Sequence, residues 1–361
     1  MVATLPAARG VAVVIPNWNG AALLPACLEA LRTQTYRDFE AVVVDNGSTD
    51  DSLAVLARFP EVRVLRFGRN RGFGAATNAG IRATASRYVA TLNNDAVPAP
   101  GWLAALVAAA DADPAVGMCA SRLVQAARPG QLDSCGIAVD RVGIAWDLLG
   151  GQPVGADAAL GEPFGPCAGA ALYRRRMLDE VGLFDERFFA YLEDVDLAWR
   201  ARARGWCCRY VSDAEVRHQH SATGGEGSPW KHYLLGRNKV WLLAKNYPAA
   251  LWRWLPLVVA YDLAAVGYAL ASRREGAALR GRLAGLAGLP AVGRARRAAN
   301  GRWRRAATED AAAGSLAPTE DGAAAYLLPP AWPWQVPARY AHLRPVAWTD
   351  NRTSRPAQPH S

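Results

Sequence analysis

Two carboxylates stand where chemistry could use them: Asp95, which closes Asn93-Asn94-Asp95 after the apolar run 88–92, and Asp194, which follows an aromatic stretch and opens a helical pattern. Asp95 could offer a hard oxygen ligand to Mg²⁺ or Mn²⁺, ions that keep waters and share phosphate oxygens. Asp194 lies in Phe188-Phe189-Ala190-Tyr191-Leu192-Glu193-Asp194-Val195-Asp196. A base that takes a proton from a hydroxyl is well sheltered by such rings. Three acids at a helix start also suit the helix dipole, so spacing alone leaves both readings open. His218 and His220 follow a strand expected at 208–211, and one of them lies where the chain should return to the site.

These residues need elements to position them. Short apolar runs at 11–15, 41–44, 62–65 and 88–92 read as strands buried on both faces of a parallel sheet. Between them Leu23, Leu24, Cys27, Leu28 and Leu31, then Leu53, Val55, Leu56 and Phe59, then the small residues 74–83, have helical spacing. The expected fold class is therefore α/β, a doubly wound, mostly parallel sheet. Ser48, Thr49 and Asp50 are expected to cap the second helix. Later elements are expected at 101–110, 116–121, 168–173, 176–181, 194–204, 230–246 and 251–272, with a Gly/Pro-rich stretch at 142–166 long enough to be a binding loop.

In an open parallel sheet, ligands bind at the carboxyl ends of the strands. There the sequence carries Pro16-Asn17-Trp18-Asn19-Gly20, Asp45-Asn46-Gly47-Ser48-Thr49-Asp50, Asn70-Arg71-Gly72-Phe73-Gly74 and Asn93-Asn94-Asp95. Short amides, carboxylates and glycines on one edge suit a base, a ribose and a diphosphate. Neither G-x-x-x-x-G-K-[ST] nor G-x-G-x-x-G follows the first strand, which excludes a P-loop and a dinucleotide fingerprint and leaves diphosphate charge to a metal.

The six cysteines form no C-x-x-C pair and read as free thiols. The net charge of +9 equals the excess of ten arginines over Glu275 between residues 273 and 305. No aromatic single-strand platform accompanies that stretch, so an anionic membrane surface is expected as partner, and no nucleic acid. The preceding run 255–270 is apolar apart from Asp262, shorter than the ~20 residues a span needs, and is expected to lie on the surface. No charged, apolar leader with a cleavage site opens the chain, so the expected compartment is the cytosol, with a peripheral position on the inner face of the cell membrane. Residues 1–248 are read as the catalytic domain, with a donor half at 11–121 and an acceptor half at 122–248. An apolar and basic extension at 249–305 follows, and then an Ala/Pro-rich, poorly ordered tail at 306–361.

Together with Phe184-Asp185-Glu186, Arg200 and Gly205-Trp206, these motifs resemble the family 2 glycosyltransferases of the GT-A fold over residues 11–248, nearest the rhamnosyltransferase-like branch. The resemblance implies an inverting transferase with a nucleoside-diphosphate sugar donor, a divalent metal, Mg²⁺ or Mn²⁺, and a glycan or lipid-linked acceptor. The donor sugar it suggests is a deoxyhexose such as rhamnose. It implies that Asp45 contacts the donor base and that Asn17, Asn19, Asn70 and Gly72 shape the nucleoside pocket, with Pro16, Asn78, Asn93 and Asn94 on the donor side. Asp95 matches the last carboxylate of the family's Asp-x-Asp, whose first is Asn93 here, and His218 matches a metal-holding histidine. Asp194, with Glu193 beside it, matches the base. Arg237, with Asn238, matches a pair that could steady the departing diphosphate. Two other classes fit the donor-binding layer: a nucleotidyltransferase, which would need a basic, Gly-rich loop absent after the first strand, and a non-catalytic sugar-nucleotide-binding module, against which Glu193 and Asp194 speak.

Overall fold

In the computed structural model, which describes residues 9–219, 228–273, 275–294, 296–297 and 322–330, the apolar runs form strands and the spaced apolar residues form helices. β1 (Val11–Asn17), α1 (Leu24–Arg32), β2 (Phe39–Asp45), α2 (Ser52–Leu56), β3 (Arg63–Arg66), α3 (Phe73–Arg82) and β4 (Tyr88–Leu92) alternate, and the four strands lie parallel in the order β3-β2-β1-β4. Val13 and Ile15 pack with Leu24 and Leu28 of α1, while Val14 packs on the other face with Ile81 of α3. Both faces are covered, so the valines run on without polar alternation.

After β4 come β5 (Ala96–Pro98), α4 (Trp102–Asp111), β6 (Val116–Gln125), β7 (Leu132–Ser134), β8 (Ile137–Val139), β9 (Ala145–Asp147), β10 (Ala170–Arg174), α5 (Arg175–Val181), α6 (Glu193–Ala203) and β11 (Cys207–His218). β10 inserts antiparallel between β4 and β6 with Ala170 opposite Leu92, which sets residues 167–169 beside Asn93. β11 pairs with β6 and then with β5, where His218 stands opposite Ala96. The strand expected at 208–211 thus continues to His218 because both neighbours offer it backbone partners. β8 and β9 form a hairpin, so the stretch 142–166 has structure of its own. Of the three residues expected to cap the second helix only Asp50 does so, accepting from the amide of Ser52 at 3.1 Å, while Ser48 and Thr49 turn to Asn17 and Asn19.

α7 (Pro229–Asn246) is capped by Ser228, whose hydroxyl accepts from the Lys231 amide. α8 (Leu255–Arg273) follows a 3₁₀ turn, and α9 (Ala277–Ala287) packs along α7 in the same direction. Gly281, Gly285 and Gly288 lie against Tyr233, Arg237 and Trp241, where any Cβ would strike α7. The helical run Ala249–Ala271 has 23 residues, and its 18-residue window has a mean hydropathy of 1.5, so by length and composition it could cross a membrane. The expectation that it is too short is therefore wrong, because the 3₁₀ turn prolongs the apolar helix.

The tail needs a second correction. Residues 322–330 belong to the core: Ala323 and Leu327 are buried beside α6, Tyr326 lies under the Arg202 guanidinium at 3.8 Å, and the Leu328 amide donates to Val139 at 2.9 Å. A few apolar side chains at close spacing were enough to dock this piece. The rest of 306–361, and His220, lie outside the described residues.

Candidate active site

Hydrogen-bonded amides tie the ends of β1, β2 and β4 together. Asn17 donates to Asp45 at 3.2 Å and accepts from Asn94 at 2.8 Å; all three are buried. Asn19, exposed beside half-buried Pro16, accepts from the Thr49 amide at 2.8 Å. Asn46 was not singled out in the sequence, yet it donates to Asn70 and to the Gly72 carbonyl and accepts from the Arg71 amide, so it shapes the loop after β3. Gly72 has φ +89, and a Cβ there would strike the backbone of Phe189. That contact is how the donor edge meets the segment before Asp194.

This segment is strained. Phe189, Tyr191 and Leu192 have φ of 66, 69 and 67, values that cost ordinary residues on the order of 1–3 kcal/mol each. Its carbonyls are held from two sides. The Phe73 amide donates to Phe189 at 2.6 Å, and Asn238 of α7 reaches Phe188, Ala190 and Tyr191 at 3.0, 2.8 and 2.8 Å. Glu193 and Asp194 then open α6, Glu193 buried and Asp194 half-buried. Asp194 accepts from the amides of Ala168 at 3.3 Å and Val195 at 2.8 Å. Burial raises both carboxyls above their ordinary range; the backbone bonds partly offset this for Asp194, and the Asp194 charge adds to it for Glu193.

Asp95 and His218 meet at the end of β4. His218 Nε2 lies 3.2 Å from Asp95 Oδ1, and Nδ1 lies 2.7 Å from Asp133 Oδ2. Burial opposes charge on this ring, but Asp133 and Asp95 outweigh it and push its pKa up to about 10. The cation so favoured is the imidazolium itself, whose Nε2 proton a metal ion would have to displace. Among the described residues no group of three or more His, Cys, Asp or Glu side chains converges as a metal cage. One carboxylate and one imidazole do fit an ion that fills its shell with waters and phosphate oxygens, and Asp133 supplies the outer bond that fixes the imidazole. The Asn93 amide lies 3.3 Å from His218 Nε2. Asp133 carries no sequence signal, since it sits in a three-residue strand far from any motif.

Asp194 is linked to the end of β4 through Ala168, Gly169 and Asn93. The Ala168 amide binds Asp194, and the next carbonyl, of Gly169, accepts from the Asn93 amide at 2.8 Å. A Cβ on Gly169 would stand 3.2 Å from the Asn93 amide nitrogen and 3.6 Å from His218 Nε2. Two expected donor contacts are otherwise engaged. Asn78 is spent on the Phe184 backbone and Glu186, because α3 turns it towards the loop at 184–186. Arg237 donates to the Arg187 and Phe188 carbonyls and lies over Trp241, because α7 passes behind the strained segment.

The sequence profile of Glycosyl transferase family 2 matches residues 12–182. N-acetylglucosaminyl-diphospho-decaprenol L-rhamnosyltransferase of Mycobacterium tuberculosis is 30% identical over 275 residues, 67% of this chain and 86% of that protein. The chain belongs to glycosyl transferase family 2. This family 2 chain is also 31% identical over 224 residues to the pre-mycofactocin glycosyltransferase of the same organism, 60% of this chain and 44% of that one. Among solved structures, GalNAc-T7 with UDP, GalNAc and Mn²⁺ superposes with a TM-score of 0.54 at 18% identity over 66% of this chain and 48% of that one, a likeness of fold. The enzyme is a glycosyltransferase on the GT-A fold, and the expected fold class is borne out.

Proposed function

We propose that this enzyme transfers a sugar from a nucleoside diphosphate to a hydroxyl of a glycan or lipid-linked acceptor by a single displacement that inverts the anomeric carbon. The acceptor O–H proton passes to Asp194, the acceptor oxygen bonds to the anomeric carbon, and the bond to the diphosphate breaks with its electron pair leaving on the phosphate oxygen. The observation that supports this reading is the chain of contacts from half-buried Asp194 through Ala168 and Gly169 to Asn93, whose side chain lies next to His218. Asp45, Asn17, Asn19, Asn94 and the loop from Asn70 to Gly72 would receive the nucleoside. Asp95 and His218 would hold Mg²⁺ or Mn²⁺, and a bound ion would supply positive charge to the leaving diphosphate.

Burial raises both carboxyls, and the amides of Ala168 and Val195, which donate to Asp194, favour its charged form and support it as the base. The name of the mycobacterial relative supports a deoxyhexose donor such as rhamnose and a sugar carried on a diphospho-polyprenol as acceptor. A peripheral position on the inner face of the cell membrane suits such an acceptor.

Incubating the purified chain and Mn²⁺ with a panel of nucleotide sugars and a lipid-diphosphate GlcNAc acceptor tests this. A glycosylated lipid with inverted anomeric configuration by NMR is the expected result. Retention of configuration would overturn the mechanism, and pyrophosphate release from a nucleoside triphosphate and a sugar phosphate would overturn the class.

A further inference from the structure

α8 carries an apolar face that the described residues leave uncovered. Leu255, Val259, Leu263 and Leu270 are exposed along it, Leu263 at 68%. α9 adds Leu279, Leu283 and Leu286, at the helical spacing i, i+4, i+7, with Leu283 at 56%. Isolated exposed leucines are ordinary, but seven large apolar side chains on two successive helices are not.

Among the described residues, the exposed charge on this part of the chain has one sign. Arg253, Arg280, Arg294 and Arg297 are exposed. The acids of the same region point inward: Asp262 meets Lys239 at 3.2 Å and Arg282 at 2.7 Å, and Glu275 meets His232 at 2.9 Å. Among the described residues the outer surface therefore presents exposed leucines together with exposed arginines, the composition that binds anionic lipid. A second copy of the chain suits it less, because a symmetric contact would set these arginines against their own copies.

The same contacts decide between crossing the bilayer and lying on it. Asp262, at the middle of α8, is joined to Lys239 of α7, and the neighbouring Asn238 is bonded to the backbone before Glu193 and Asp194. α7 also carries Lys231, His232, Arg237 and Lys245. If the middle of α8 sat at the bilayer centre, this polar helix and the catalytic segment would be drawn into hydrocarbon, at a cost no apolar face offsets.

We propose that α8 and α9 form a monolayer-docking face that lies in the plane of an anionic membrane and holds the active site one helix above the lipid headgroups. This rests on the reading of a lipid-linked acceptor for its purpose, not for its geometry. Trp230, half exposed, stacks on Tyr233 at 5.6 Å and meets Phe189 edge-on at 6.1 Å, and Tyr233 packs against Gly281 of α9. Ring contacts thus run from α7, on whose backbone α9 packs, to the strained segment before Asp194.

The vesicle-binding readout needs no catalysis, so it fails separately from the transferase reading. Full-length protein is floated with phosphatidylcholine vesicles, with and without phosphatidylglycerol, at low and high salt. Binding to the anionic vesicles alone, released by salt, is expected. Leu263→Glu with Leu283→Glu should lower vesicle partition on the order of tenfold or more, as should Arg280→Ala with Arg294→Ala and Arg297→Ala. Circular dichroism and transfer to a short-chain, water-soluble acceptor should stay unchanged in both variants. Absence of wild-type binding, binding that resists both salt and alkaline carbonate as a span would, or a lipid-free dimer broken by Leu263→Glu would each overturn the proposal.

Discussion

The side-chain amide of Asn238 donates to the carbonyl of Tyr191 at 2.8 Å, from a helix that begins some forty residues after the strained segment it holds. Phe188 and Ala190 share the same nitrogen. Three left-handed residues in four would relax towards ordinary backbone angles if their carbonyls were released. Asn238→Asp keeps the shape and turns an acceptor oxygen on those carbonyls. Misplacing a reacting group by about 1 Å costs up to ~10² in rate, so kcat should fall by roughly ten- to a hundredfold while the KM for donor holds. Steady-state kinetics over donor concentration check this; an unchanged kcat would remove Asn238 from the positioning of Asp194.

Asp194→Asn should lower kcat by ~10² to 10⁴, the usual worth of a general base, with nucleotide-sugar binding retained by calorimetry. Burial pushes the Asp194 carboxyl up to about 6. A base works deprotonated, so kcat should fall as pH drops through that value and level off above it. Glu193→Gln resembles the protonated form of Glu193 and should keep the same order of activity at neutral pH. A pH–rate profile without an acid limb would contradict the assignment of Asp194.

Asp133 is the outer partner of His218, at 2.7 Å from Nδ1. Losing such a bond typically costs ten- to a hundredfold in metal affinity. Asp133→Asn should weaken Mn²⁺ binding by about that factor, read by electron paramagnetic resonance of free Mn²⁺ with nucleoside diphosphate present and no turnover required. Equal affinity in the variant would make the Asp133 contact a matter of packing alone.

The donor half was legible because its signals are local. Each buried valine run ends in its own polar turn, so Asp45, Asn70 and Asp95 follow from strand ends that the chain itself supplies. Glu193 and Asp194 were legible as acids opening a helix. What joins them was not. Asp133, Asn46 and Asn238 act through partners 85, 24 to 26 and 47 to 50 residues away. No periodicity encodes those distances. They depend on β10 entering antiparallel beside β4 and on α7 returning across the strained segment. Docking of residues 322–330 was hidden for a similar reason: Ala323 and Leu327 become core only because α6 presents a surface to them.

Two glycines should answer an alanine substitution differently. At Gly72, φ is +89 and the added Cβ meets the Phe189 backbone, which Asn238 and Phe73 already hold, so neither side can yield. Gly72→Ala should cost at least about 2 kcal/mol of stability, visible in chemical unfolding. At Gly169 the added Cβ meets only the Asn93 side-chain amide at 3.2 Å, with His218 Nε2 just beyond at 3.6 Å. A side chain can give a few tenths of an ångström, so stability should hold. The methyl group would nevertheless stand against the Asn93 and His218 side chains, beside which an ion and a diphosphate are proposed to bind, and transfer should drop on the order of tenfold or more. Gly169→Ala with unaltered unfolding and reduced Mn²⁺ affinity is the expected pair of measurements. Full activity in that variant would mean that the space beside Gly169 is not where donor and metal meet.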